Sequence, residues 1–265
     1  MGLVQGKAGI VTGAAGGIGR ATAILYAKEG ASVLVSDLES CRAGGEETVA
    51  LIKAQGGRAV FVAADVAKAA DAQKLVESCV SNFGALNFAF NNAGILAVGF
   101  TSEVEEDEFD RIMEVDVKGV WLCMKYQLRH MMKNGGGVII NTSSEGGLVG
   151  TPLAGPYVAA KHAVIGLTKT AAGEYANMNI RVNSIAPGTI ATPMVLSLPQ
   201  EAQQMLMAPQ PLHRLGTPDE VAQGVVWLSS DRASFVTGIT LSIDGGATSN
   251  AQSYDPSTSP SKLGV

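Results

Sequence analysis

Apolar residues in this chain fall into short unbroken runs, each followed by a stretch in which apolar positions return every three or four residues. Ala8 to Val11 reads as a buried strand that enters a glycine-rich turn, with a helix from Ala21 to Lys28 closed by Gly30. Ser32 to Ser36 is the next strand, and a helix covers about residues 45–55. The alternation continues with strand Arg58 to Ala63, helix Ala69 to Asn82 and strand Asn87 to Phe90. Acidic residues from Glu103 to Asp110 open a long helix that runs through Met132. Strand Val138 to Ile140, a helix that begins at Pro156, and strand Ile180 to Ile185 follow. Ala186 to Pro193 comes next, residues 194–215 carry little fixed pattern, and helix Pro218 to Ser229 and strand Ile239 to Ile243 complete the core. Strict alternation with uniformly apolar strands predicts an α/β fold: a parallel sheet of about seven strands, covered by helices on both faces.

No composition break or internal repeat divides the chain, so residues 1–246 are expected to form a single domain. The polar tail, 247–265, is expected to be flexible or to clasp a neighbouring subunit. With 265 residues, 46% of them hydrophobic, the chain is long enough to bury a sizeable core. A net charge of −5 leaves no basic patch for phosphate backbones, which argues against a nucleic-acid partner. No signal peptide and no long apolar membrane span is read from the sequence. Ser261-Lys262-Leu263 looks like a peroxisomal address, but Gly264 and Val265 follow it. Cys41, Cys79 and Cys123 are odd in number and widely spaced, which suits free thiols in a reducing cytoplasm. None of them combines with His130, His162 or His213 at a ligand spacing, so no metal site is expected.

Candidate chemistry is concentrated between Asn141 and Lys161. Ser144 follows an apolar strand, and Tyr157 and Lys161 lie four apart on a helix, hence on one face. A tyrosine alone titrates at about 10, and a neighbouring ammonium favours its phenolate and so general acid/base work. A Tyr-x-x-x-Lys pair also occurs as ordinary surface pairing, so the pair alone does not decide the matter. The turn Thr12-Gly13-Ala14-Ala15-Gly16-Gly17-Ile18-Gly19 joins a strand to a helix N-terminus, a place where backbone N–H groups and the helix dipole attract an anion. Its spacing departs from G-x-G-x-x-G, and a tight turn without a ligand explains the glycines equally well. Asp37 ends the second strand, eighteen residues after Gly19, where an acid accepts from an adenosine ribose. Neither Ala15 nor Leu38 supplies an arginine for a 2′-phosphate, so NAD is favoured over NADP.

The ordered set Thr12-Gly13…Gly17-Ile18-Gly19, Asp65, Asn91-Asn92-Ala93-Gly94, Ser144…Tyr157…Lys161, Asn183…Pro187-Gly188 and Ile243-Asp244-Gly245-Gly246 resembles the short-chain dehydrogenase/reductase family, in its short single-domain branch. The resemblance spans nearly the whole chain and implies a Rossmann-type doubly wound sheet. It also implies roles. Tyr157 takes the proton from an alcohol while hydride passes to nicotinamide, Ser144 holds the substrate oxygen, and Lys161 acts on Tyr157 and on the nicotinamide ribose. Gly13, Gly17, Ile18 and Gly19 surround the pyrophosphate, and Asp37 and Leu38 meet the adenosine ribose. Asp65 and Val66 border the adenine, and Asn92, Ala93 and Gly94 pass beneath the adenosine side. Pro187, Gly188, Ile190 and Thr192 hold the nicotinamide end. Residues of about 189–215 become a lid over substrate, with Met194, Met205 and Met207 offering an adaptable wall.

Asp116 stands where the family usually has asparagine. It keeps the main-chain carbonyl that serves a proton relay, but its charge is expected to raise the Lys161 pKa and oppose the lysine's pull on Tyr157. Glu145 either accepts from a second substrate hydroxyl or faces solvent, the latter favoured by its glycine-rich loop; His162 is expected off the catalytic face. The resemblance is nearest to NAD-dependent enzymes of cyclic alcohols and diols, through residues 119–126 and 141–144. A sugar dehydrogenase is the neighbouring reading. A ketoacyl-carrier reductase is disfavoured by Asp37 and the acidic balance, and a non-catalytic dinucleotide sensor by the Ser144/Tyr157 pair. A small-molecule alcohol or ketone, no membrane and a homo-tetramer complete the expectation.

Overall fold

The computed structural model describes residues 2–249. Seven parallel strands form one sheet: β1 (Ala8–Thr12), β2 (Ser32–Asp37), β3 (Arg58–Ala63), β4 (Phe88–Asn91), β5 (Gly137–Thr142), β6 (Ile180–Pro187) and β7 (Thr240–Ile243). Their spatial order is β3-β2-β1-β4-β5-β6-β7. The chain therefore steps outward from β1 to β3, returns to place β4 on the other side of β1, and steps outward again. That reversal between β1 and β4 opens a crevice at their carboxyl ends, where open α/β sheets bind ligands.

Alternate residues along the strands feed two cores. On one face Val11, Val33, Val35, Phe88, Phe90 and Ile140 pack against α1 (Gly17–Lys28), α2 (Arg42–Ala54) and α9 (Pro218–Ser229). On the other, Ile10, Leu34, Ile139 and Val182 pack against α3 (Ala69–Phe83), α5 (Val120–Met131) and α6 (Gly155–Tyr175). Tyr26 illustrates the fit: its ring stacks on Phe88 with centroids 4.1 Å apart, and its hydroxyl shares a 2.6 Å hydrogen bond with Ser229. The expected doubly wound parallel sheet is present.

The boundaries differ from expectation where glycine or a backbone irregularity intervenes. Helix α1 starts at Gly17 rather than Ala21, because the glycines that read as a turn are its first residues. The long helix expected from Glu103 begins as α4 (Glu106–Ile112), then widens into a π-helical segment, Met113–Gly119, before α5. Single π turns within helices frequently mark functional sites. The patternless stretch holds two short helices, α7 (Pro193–Leu196) and α8 (Gln200–Met207). Among the described residues no helix is long and apolar enough to cross a membrane. The tail is described only to Ser249; Ser261-Lys262-Leu263 and the rest of the expected tail lie outside the described residues.

Candidate active site

The carboxyl ends of β1, β4, β5 and β6 bring the expected residues to one edge of the sheet. Gly13 leaves β1 with φ +63° and is pressed against Ala93; a Cβ there would stand 2.9 Å from the Ala93 Cα. A Cβ on Gly19 would stand 2.1 Å from the Gly13 carbonyl oxygen, so the first turn of α1 closes on the loop only with glycine there. Gly17 faces the Thr192 methyl, which joins the loop after β1 to the segment after β6. The N-terminal N–H groups of α1 thereby border an open surface suited to an anion.

A cleft of about 350 Å³ lies beside this loop, lined by Gly13, Asp37, Leu38, Asp65, Val66 and Asn92–Ile95 among others. Asp37 closes β2; its two carboxylate oxygens accept from the N–H groups of Ala15 and Leu38, each at 2.9 Å. Ser36 also lines the cleft, and its buried hydroxyl lacks a hydrogen-bond partner. Arg20, which sequence reading passed over, comes close through Ala15, but its guanidinium is bound to the Ala15 and Gly44 carbonyls, Thr48 and Glu47. Arg111 is the sole cation among the lining residues and comes from α4, not from the end of β2. The glycine cradle, the cleft and the placement of Asp37 fit an adenosine diphosphate group. Asn92 ties the wall together, donating to the Thr12 and Gly13 carbonyls while its own N–H is held by the Thr12 hydroxyl.

Lys161 is the electrostatic centre. It is buried on α6, its Nζ lying 2.9 Å from Asp116 Oδ2, 5.2 Å from the centre of the Tyr157 ring, and donating to the Thr142 carbonyl at 3.2 Å. Burial alone would lower its pKa, but the fields of Tyr157 and Asp116 outweigh burial and hold it above the ordinary lysine value. The π segment turns Asp116 inward, where its Oδ1 also accepts from the Ile95 N–H at 2.8 Å. Gly94 is what lets β4's exit pass this pair: a Cβ there would lie 2.9 Å from Asp116 Oδ2 and 3.2 Å from Lys161 Nζ. The expected influence of Asp116 on Lys161 is thus a direct ion pair.

Ser144 lies two residues beyond β5 in extended conformation, its Oγ accepting from the Gly146 N–H at 3.1 Å. Ser143 locks α6 to β5 by donating to the Lys161 carbonyl at 2.9 Å, so Ser144, Tyr157 and Lys161 share one rigid support. Beneath them runs a buried polar chain that the sequence reading missed: Gln127, Asn91, Asn141 and Thr168 are joined by hydrogen bonds of 2.7–3.0 Å. Its signal was a polar residue at the last or next-to-last position of an apolar strand, Asn91 on β4 and Asn141 on β5. Pro187, Gly188, Ile190 and Thr192 follow β6 toward α7, and Gln210 fixes this stretch, accepting from the Thr189 N–H and donating to the Arg214 carbonyl. Met194 and Met205 project from α7 and α8 into solvent, and Met207 is half-buried. His162 points outward, as expected. Glu145 corrects the reading as a solvent-facing residue: its Oε2 is buried.

A parallel doubly wound sheet with a glycine phosphate cradle and a Ser–Tyr–Lys cluster at its carboxyl edge defines a class. Residues 13–248 match the family model described as Enoyl-(Acyl carrier protein) reductase, a branch of the short-chain dehydrogenase/reductases. The chain belongs to the short-chain dehydrogenase/reductase family, oxidoreductases that transfer hydride between a nicotinamide dinucleotide and a CH–OH or ketone carbon. It is 46% identical over 246 residues to cyclohexanol dehydrogenase of Acinetobacter sp., covering 92% of this chain and 95% of that one. It is 44% identical over 250 residues to 2,5-dichloro-2,5-cyclohexadiene-1,4-diol dehydrogenase of Sphingobium indicum, covering 92% and 98%. Among solved structures, levodione reductase superposes with a TM-score of 0.89 at 35% identity, covering 93% of this chain and 99% of that one.

Proposed function

We propose that this protein is an NAD-dependent dehydrogenase of cyclic secondary alcohols or diols, with Ser144, Tyr157 and Lys161 as its catalytic residues. The observation that carries the reading is the buried Lys161, clamped by Asp116 and the Thr142 carbonyl and set one helical turn from Tyr157. Hydride acceptance is the chemistry that a nicotinamide dinucleotide supplies when bound. Ser144 Oγ orients the substrate hydroxyl, and Tyr157 removes its proton at the phenolic oxygen. Lys161, through its fixed ammonium, favours the phenolate form of Tyr157 that accepts this proton. Gly13, Gly17, Ile18 and Gly19 hold the pyrophosphate, with Pro187, Gly188, Ile190 and Thr192 at the nicotinamide end. Asp65, Val66, Asn92, Ala93 and Gly94 border the adenosine. Asp37 and Leu38 favour NAD, since the Asp37 carboxylate repels a 2′-phosphate and Arg20 is already engaged.

The cyclic substrate is supported by the activities for which the cyclohexanol and cyclohexadienediol relatives are named, and an adaptable lid of residues 189–215 suits it. A homo-tetramer is supported by exposed Trp121, Trp227, Phe235 and Ile239, an unusual apolar load for a monomer's surface. A reducing cytoplasm suits two buried free thiols, Cys79 and Cys123. The test is reduction of NAD and NADP, followed in parallel on cyclic secondary alcohols, cyclic diols and aldose sugars, with Tyr157→Phe as control. NAD-linked turnover of a cyclic alcohol, lost in the variant, is expected. Turnover confined to sugars, or to NADP, would overturn the respective part, and nucleotide binding without any turnover would leave a sensor.

A further inference from the structure

Glu145 is a half-buried residue beside the candidate chemistry, and the mechanism has no use for its carboxyl. It follows Ser144 and opens a single 3₁₀ turn whose backbone cannot swing freely. The Gly146 N–H is bound by Ser144 Oγ, and Gly147 sits so close to α6 that a Cβ would lie 2.9 Å from the Lys161 carbonyl oxygen. Held this way, Glu145 keeps Oε2 out of water with no hydrogen-bond partner. An unpaired buried polar atom costs about 1–3 kcal/mol, and a substrate hydroxyl is one partner that would relieve this cost.

The surroundings narrow the partner. Asp244, at the end of β7, is the charged group whose field reaches Glu145. Its own carboxylate is already saturated by the Gly246 N–H, the Thr248 N–H and the Thr248 hydroxyl. Asp244 borders a cleft of about 550 Å³ with Ile190, Gln210, Leu212 and Gly245, between the nicotinamide-end segment and the residues that follow the lid helices. Glu145 thus follows Ser144 directly in the chain and feels the charge of Asp244, a residue of this cleft, with no cation among its electrostatic partners. Burial first, and the Asp244 charge second, push the Glu145 pKa up to about 7. A carboxyl in that state both donates and accepts near neutrality, which matches an alcohol group, itself donor and acceptor. A simple cyclic alcohol has no second polar group and would leave Oε2 unpaired.

We propose that Glu145 is a specificity residue that hydrogen-bonds a second hydroxyl of the substrate, so that the enzyme selects cyclic diols over cyclic mono-alcohols. The proposal rests on the dehydrogenase reading above and names the substrate class within it.

The test compares kcat/KM for cyclohexanol with that for the 1,2- and 1,4-cyclohexanediols, in the parent enzyme, Glu145→Gln and Glu145→Ala. A site built to pair a substrate hydroxyl loses strongly when that pairing goes, so Glu145→Ala should cut the preference for the best diol by about 10–100-fold. The loss falls mainly on KM, with cyclohexanol changed by no more than about threefold; Glu145→Gln, which still donates and accepts, retains most of the preference. A diol-to-alcohol ratio unchanged in Glu145→Ala overturns the proposal, as does an equal fall on both substrates, which marks a purely structural turn. A parent enzyme that oxidises cyclohexanol but prefers no diol overturns this proposal and leaves the dehydrogenase reading standing. No turnover of either class by the parent overturns both.

Discussion

Replacing Asp116 by asparagine isolates the charge of one buried carboxylate, because volume and the acceptor for the Ile95 N–H are conserved. Asp116 and Lys161 are both buried and their charged atoms are 2.9 Å apart. At an effective dielectric constant of about 20, that separation corresponds to a gross attraction of roughly 6 kcal/mol. Most of this offsets the desolvation of the two ions, and breaking a buried pair from one side costs about 3–5 kcal/mol. The low end applies here, since the Thr142 carbonyl still accepts from the ammonium, so a loss of about 3 kcal/mol is expected, or a fall of roughly 6–12 °C in Tm. The pH dependence has a definite sign. Lys161 is held above its ordinary value of 10.5, so the pair's contribution is complete below that pH and is lost only as pH rises through the higher native value. Variant and parent therefore differ across the neutral range and converge only in strong alkali. Catalysis moves the other way. Without the opposing carboxylate, the ammonium's field on the bound alcohol and Tyr157 is stronger, and the acidic limb of kcat/KM for alcohol oxidation should move about one pH unit toward acid. Calorimetry at several pH values and a pH–rate profile of NAD reduction measure both. A Tm within a degree of the parent's at neutral pH, together with an unmoved limb, would refute the ion pair as a working part of this site.

The other predictions concern single contacts. For Glu145, a native pKa near 7 against 4.5 unfolded means that its protonated form favours folding below pH 4.5 and that this support is lost as pH rises through 7. Glu145→Gln does not titrate, so its Tm advantage over the parent should grow between pH 5 and pH 8 by about 2–8 °C, corresponding to about 1–2 kcal/mol after allowance for the residue's partial exposure; a constant offset would disprove the burial argument. Gly19→Ala forces a Cβ against the Gly13 carbonyl, and should weaken NAD binding by more than about tenfold in a fluorescence titration while the far-ultraviolet spectrum stays that of a folded α/β protein. Gln210→Ala removes the bonds to the Thr189 N–H and the Arg214 carbonyl, and should raise KM for alcohol more than it lowers kcat. A fall in kcat with KM unchanged would place Gln210 in the chemistry rather than in shaping the segment over substrate.

How much of this was legible in the sequence follows from what kind of physical constraint each feature obeys. Strand and helix order could be read because burial on both faces makes the central strands largely apolar, as at Ile10 and Val33. The places of Gly13, Gly19 and Asp37 could be read because a strand, a turn and a helix in succession fix their geometry within one local unit. Long-range pairing could not. Spacing alone does not bring Asp116 to Lys161, which only the family resemblance suggested: their meeting depends on a π turn, which leaves no periodicity to detect, and on Gly94 for the space between them. The chain from Gln127 through Asn91 and Asn141 to Thr168 joins four separate elements, and nothing in the local spacing of any one member points to the others. Glu145 was misplaced for a similar reason: flanking glycines argue for an exposed loop, and only the packing of Gly147 on α6 reverses that. Such buried polar groups stabilise little while their partners are missing, and the substitutions at Asp116 and Glu145 probe two opposite cases. One carboxylate is paired within the protein, so its removal should destabilise. The other still lacks a partner, so its neutralisation by glutamine should stabilise the fold, while its truncation to alanine should weaken selection among substrates.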